Sequence, residues 1–137
     1  MYKKKSYNYL KYGIELRNKK IALFIIQNLK KSKNLSINKL NRLANTYFEI
    51  GQYHNAKKTY KKALFLNSKS EITLNNFANF QKSTGNQKNA ILLYLKIYRL
   101  NKRNNQNLKN LIITFMEQKK YIKIINFIDK NFKNFLL

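Results

Sequence analysis

The chain has no cysteine and no proline, and among its 137 residues only three are glycine, five are acidic and one is histidine. Without cysteine there is no disulfide, no thiolate nucleophile and no cysteine-ligated zinc, while the redox compartment stays open. Without proline, and with only Gly13, Gly51 and Gly85 able to interrupt a helix at little cost, the composition favours long helical runs. No apolar stretch approaches the roughly 18–20 residues needed to span a bilayer. The longest, Ile21 to Ile26, ends at Gln27 and Asn28. Met1 is followed by Lys3, Lys4 and Lys5 but by no signal-peptide core. The expectation is a soluble chain with neither signal peptide nor transmembrane helix. Apolar residues make up 44% and aromatics 14%, too much for a disordered chain, so an all-α domain is the first reading.

The scarcity of reactive groups also bears on catalysis. His54 is the one histidine, expected at the start of a helix with no acidic partner close in sequence. The carboxylates are few and regularly spaced, the glycines stand alone, and no phosphate-cradling loop is present. No catalytic residue, no metal site and no cofactor is assigned. The chain is expected not to be an enzyme.

What the chain has in excess is positive charge, +24 in formal net terms. Such a value suggests a polyanionic partner. The composition supplies a second cause. Lysine outnumbers arginine 25 to 4, and asparagine outnumbers aspartate 22 to 1. Lys, Asn, Ile, Phe and Tyr abound while Pro, Gly, Ala and Arg are scarce, the profile of an AT-biased genome such as an organelle, an endosymbiont or a parasite. Drift of that kind makes a protein basic without selection for polyanion binding.

The most specific signal is internal repetition. Leu40, Leu43, Ala44, Gly51, Ala56, Tyr60 and Leu66 recur 34 residues later as Leu74, Phe77, Ala78, Gly85, Ala90, Tyr94 and Leu100. A period of that length, with small residues at fixed offsets among large ones, marks stacked helical hairpins. In the unit from Ile37 to Ser70, Leu40, Leu43, Ala44 and Tyr47 form one helix stripe and Gly51 marks the turn. A second helix then carries Tyr53, Ala56, Tyr60, Ala63 and Leu64. The next units run over 71–104 and 105–137, the last keeping Leu108, Leu111, Phe115, Tyr121 and Ile128. A degenerate unit over 3–36 fits only through Ala22, Ile26 and Leu29. Glu15, Glu49 and Glu117 share one repeat position. They read either as local partners of Lys19 and Lys120 or as a row of carboxylates on one face.

The pattern Leu40, Leu43-Ala44, Tyr47, Gly51-Gln52-Tyr53, Ala56, Tyr60, Ala63-Leu64 resembles the tetratricopeptide repeat family, with Ser68 in place of the usual proline. The resemblance implies an all-α, right-handed superhelical solenoid of stacked antiparallel helix pairs over residues 1–137, with three clear repeats plus a degenerate N-terminal one. It also implies a non-catalytic scaffold or assembly factor that grips a protein or extended peptide in a concave groove lined by the first helices. That groove would carry Asn8, Lys11, Asn38, Asn41, Arg42, Asn45, Asn75, Asn76, Asn79, Gln106, Lys109 and Asn110. Amides there could pair with a peptide backbone without reading its sequence, although Asn45, Asn76 and Asn79 are also common consensus residues. The clamp with which some co-chaperones of this family hold a terminal carboxylate is not matched, because only Asn45 and Asn76 agree and its cations are missing. Short AT-biased members include plastid-encoded factors for photosystem I assembly, which places the chain in a plastid, another organelle or an endosymbiont, or otherwise in the cytoplasm. Those relatives commonly carry an N-terminal membrane segment that this sequence lacks.

Two further surfaces follow from the residues. Lys57, Lys58, Lys61 and Lys62 cluster on the outer face of one second helix and give an alternative reading, a basic module that binds RNA or DNA. The last helix, from Tyr121, is apolar on most of its circumference through Phe132, Phe135 and Leu136. It either buries both sides against the preceding repeat, forms an edge for an oligomer or partner, or lies on a membrane surface as a peripheral adaptor.

Overall fold

The computed structural model describes residues 2–32 and 34–132; side chains are described from Arg17 onward, except at Tyr121, Asp129 and Phe132. Among the described residues there are seven α-helices and no strand. They are α1 (Tyr2–Lys31), α2 (Ile37–Glu49), α3 (Tyr53–Leu66), α4 (Glu71–Ser83), α5 (Gln87–Leu100), α6 (Asn105–Glu117) and α7 (Tyr121–Phe132). Within each of two units, successive helices pack against one another, the all-α repeat architecture that the 34-residue period implies. They fall into two compact units, residues 1–67 and 68–137.

The period is written most plainly in the helix ends. Ser36 and Ser70 accept a hydrogen bond at Oγ from the backbone N–H three residues on, each at 3.4 Å, and Asn104 does so with Oδ1 at 2.9 Å. These three N-caps stand 34 residues apart and open α2, α4 and α6. The other ends of the same helices close by one motif. The N–H of Gly51 donates to Phe48 and that of Gln52 to Tyr47, and the pairs Gly85–Lys82 and Asn86–Gln81 repeat it. Lys119–Met116 and Lys120–Phe115 make the third copy. The motif needs a left-handed residue, with φ of 76° at Gly51, 82° at Gly85 and 53° at Lys119.

A lysine in that conformation carries strain that glycine avoids. Lys119→Gly is therefore expected to raise stability by about 0.5–1 kcal/mol, after allowing for glycine's greater freedom in the unfolded chain. Gly51→Ala should lower it by about 1 kcal/mol. A Cβ at Gly51 meets nothing within 4 Å, so that loss comes from the backbone alone. Thermal unfolding followed by circular dichroism checks both signs, and a destabilising Lys119→Gly would contradict the reading.

In the first unit, α2 and α3 form the hairpin and α1 packs on α2. The core joins Ala22 and Ile26 of α1 to Leu40, Leu43, Ala44 and Tyr47 of α2 and to Ala56, Tyr60 and Ala63 of α3. The ammonium of Lys30 lies 5.8 Å from the ring centre of Tyr47. The helical pair expected over 3–36 is instead one continuous helix of 30 residues. Arg17 stands where Gly51 and Gly85 stand one and two periods later, and the chain passes through it in helical conformation. Tyr53, expected on the packed face of α3, is 53% exposed, with its ring 6.0 Å from that of Phe48 in the same hairpin.

In the second unit, α4 pairs with α5, α6 packs on α5, and α7 on α6. Leu74, Ala78, Ala90, Tyr94 and Leu111 are fully enclosed, with Phe77, Ile97 and Phe115 beside them. Alanines at 78 and 90 permit the close helix approach, and Tyr94 fills the space they leave. Phe127 of α7 meets Tyr98 edge-on at 5.1 Å. Glu117 pairs with Lys82 of α4 at 2.9 Å, not with Lys120, so it links one first helix to the next.

Candidate interaction surface

Of the expected groove residues, Asn8 and Lys11 lie in α1 outside the described side chains. On α2, Asn38 and Arg42 are exposed and Asn45 is half-buried. Asn41 is a correction: at 5% exposure it belongs to the packed face of α2 and presents nothing to a partner. On α4, Asn79 is exposed and Asn75 and Asn76 are half-buried; on α6, Gln106 and Lys109 are exposed and Asn110 is half-buried.

Two of these asparagines have a task within their own hairpins. The Tyr60 hydroxyl donates to Oδ1 of Asn45, and 34 residues on the Tyr94 hydroxyl donates to Oδ1 of Asn79. Burial, and then the charge of Glu49, pushes the Tyr60 hydroxyl up to about 12; burial and then Glu117 do the same to Tyr94. Both phenols therefore stay protonated donors at physiological pH. In the third repeat the same two positions are Ile113 and Ile128, so donor and acceptor are replaced together by an apolar pair. Loss of the asparagine alone would deprive the buried tyrosine hydroxyl of its acceptor, which the joint exchange avoids.

A different set of amides is free of that task. Gln106 donates from Nε2 to Oδ1 of Asn110 at 3.1 Å, and Asn110 donates from Nδ2 to Oδ1 of Asn75 at 3.3 Å. This directed chain runs along the exposed sides of α6 and α4 and leaves an acceptor at Gln106 and a donor at Asn75. Ile72, 64% exposed, stands on α4 at the repeat position of Asn38 and Gln106.

Residues 40–70 match the family model of the tetratricopeptide repeat. That segment is a tetratricopeptide repeat. No curated protein matches it. The matched segment covers most of the α2–α3 hairpin, and the caps, turns and Asn–Tyr pairing repeat the same design in the second unit.

The remaining candidate surfaces are also placed. Lys57, Lys58, Lys61 and Lys62 are all exposed on α3, and His54 is exposed at its start. In the first unit a cleft of about 580 Å³ is lined by Ile21, Ala22, Ile25, Thr46, Glu49 and Ile50, with Asn18 and Lys19. Among the described residues no three His, Asp or Glu side chains gather as a metal site. No described helix is long and apolar enough to cross a membrane. On α7, Ile122 is 74% and Ile125 57% exposed, while Ile124, Phe127 and Ile128 turn inward. The Phe132 side chain, Phe135 and Leu136 lie outside the described residues.

Proposed function

We propose that the chain is a non-catalytic protein–protein interaction module that holds an extended polypeptide against the exposed amides of its first helices. Tetratricopeptide repeats generally bind proteins or peptides and are generally not enzymes, and residues 40–70 match that family. The observation that carries the reading is the hydrogen-bonded chain Gln106–Asn110–Asn75, with Asn76 and Asn79 on the same helix as Asn75. Each amide offers donors and an acceptor, the complement of a backbone that presents one N–H and one C=O per residue. Mutual hydrogen bonding fixes their orientation before a partner arrives, which lowers the ordering cost of binding. Partner selection would then come from side chains beside the amides, with exposed Ile72 favouring an apolar residue and Lys109 an acidic one. Assembly of photosystem I in a plastid is the setting that the family resemblance suggests, and the AT-biased composition is its support.

Loss of two charge-neutral hydrogen bonds should weaken binding about tenfold or more. Asn76→Leu with Asn110→Leu is the test, read as fluorescence anisotropy against a library of extended, uncharged 15-residue peptides. The expected result is a binding loss with little change in melting temperature, because both residues are half-buried at the surface. Unchanged binding to every peptide that the parent chain binds would overturn the proposal.

A further inference from the structure

The outer face of α3 carries more exposed lysines than that of any other second helix among the described residues. Residues four apart lie above one another on a helix. Two such rows run side by side here: Tyr53, Lys57, Lys61, Phe65 and His54, Lys58, Lys62, Leu66. All eight side chains are exposed, Phe65 at 89% and Leu66 at 53%. No carboxylate occurs anywhere in the helix. Each row thus holds two cations and then ends, at the C-terminal turn, on a large apolar side chain standing in water.

The repeat imposes only part of this. At the positions of Lys57, Lys61 and Phe65, α5 carries Ile91, Leu95 and Arg99. Ile91 is 8% exposed and Leu95 half-buried, so the first row is used for packing in the second unit, while the second row stays exposed there as Lys88, Leu92, Lys96 and Leu100. The first row, with Lys57, Lys61 and exposed Phe65, is the property of α3, and it widens the basic face and gives it a second apolar end.

We infer that this face of α3 docks on a bilayer surface rich in anionic lipid, with the four lysines at the headgroups and Phe65 and Leu66 entering the acyl boundary. Charge complementarity selects an anionic partner. The two apolar ends then discriminate between polyanions. A phosphodiester strand could neutralise the lysines and stack one base on Phe65, but it offers Leu66 no apolar medium. A bilayer takes both side chains, while the lysine stems lie along its surface with their ammonium groups in the headgroup layer. The apolar residues share one end of the helix, so α3 meets the surface tilted, C-terminal turn inward. Nothing in this inference rests on the amide surface of α4 and α6, and either can fail alone.

The chain contains no tryptophan, so Phe65→Trp introduces a single reporter. With the full-length protein, vesicles of phosphatidylcholine alone are compared with vesicles containing phosphatidylserine. The expected result is co-sedimentation with the anionic vesicles only, a blue-shifted indole emission there, and weakening with added salt. Removing each lysine as Lys→Gln should lower the partition coefficient about fivefold. Phe65→Ser with Leu66→Ser, both at the surface and harmless to the fold by circular dichroism, should abolish vesicle binding. Three outcomes overturn the inference: no binding to anionic vesicles, binding without any emission shift, or binding that depends on the lysines but not on Phe65 and Leu66. If the last is joined by lysine-dependent binding of a single-stranded oligonucleotide, the face is a nucleic-acid site instead.

Discussion

Replacing Tyr94 with alanine is expected to lower the free energy of unfolding by roughly 3–5 kcal/mol, enough to unfold much of the second unit at ambient temperature. Tyr94 is fully enclosed and among the largest buried side chains in the chain. Its neighbourhood is assembled around small residues, with Ala78 and Ala90 admitting no solvent, so the space left by the ring has little material to collapse into it. The backbone is committed there too, because Nδ2 of buried Asn107 donates to the Tyr94 carbonyl at 2.9 Å. Tyr94→Phe isolates the hydroxyl. It keeps the ring and loses one hydrogen bond, and exposed Asn79 can turn to water, so the loss should be about 1 kcal/mol or less. Urea unfolding of both variants separates ring from hydroxyl. A Tyr94→Ala variant no less stable than Tyr94→Phe would contradict the packing described.

The second large effect is alkaline. Tyr60 and Tyr94 each have a hydroxyl raised from 10.0 to about 12 by burial and then by a neighbouring glutamate. A group whose pKa is higher in the folded state stabilises the fold fully below its unfolded value. That stabilisation is lost as pH rises through the folded value. The loss therefore falls between about pH 10 and pH 12, on the order of 1–2 kcal/mol for each tyrosine after allowing for solvent near the hydroxyls. The double variant Tyr60→Phe, Tyr94→Phe should be less stable than the parent at pH 8 by about 1–2 kcal/mol. It cannot suffer this alkaline loss, so the two stability curves should cross before pH 12. Parallel curves from pH 8 to 12 would show that the phenols titrate alike in the folded and unfolded chains.

These two tyrosines also show how far the sequence could be read. Their 34-residue spacing, their alanine neighbours and Gly51 and Gly85 were legible because packing and a left-handed turn each restrict residue type. The turn at Lys119 was not legible, since lysine carries no signal for positive φ; only the period points to it. Ser36, Ser70 and Asn104 were a missed signal, three cap formers in register that mark the starts of α2, α4 and α6. The continuity of α1 through Arg17 depends on the absence of a turn former at one position, which a degenerate repeat pattern does not reveal. On the amide surface, residue type misled. Asparagine serves equally on a buried face (Asn41), as a hairpin acceptor (Asn45, Asn79) and on an exposed amide chain (Asn75, Asn110), and only the helix register with its tyrosine partners tells these apart. Phe65 and Leu66 were hidden for the opposite reason. Apolar residues at a helix end read as core until their exposure is known.

On the proposed function, a polypeptide partner, and not the charge of +24, is what the repeats are built to hold. The most direct measurement is affinity capture from an extract of the source organism at moderate salt, with nuclease treatment, comparing the parent chain with the Asn76→Leu, Asn110→Leu variant. The expected result is a discrete set of proteins that survives nuclease and is lost with the variant. Loss of every captured protein on nuclease treatment, or capture that the two amide substitutions leave unchanged, would contradict it.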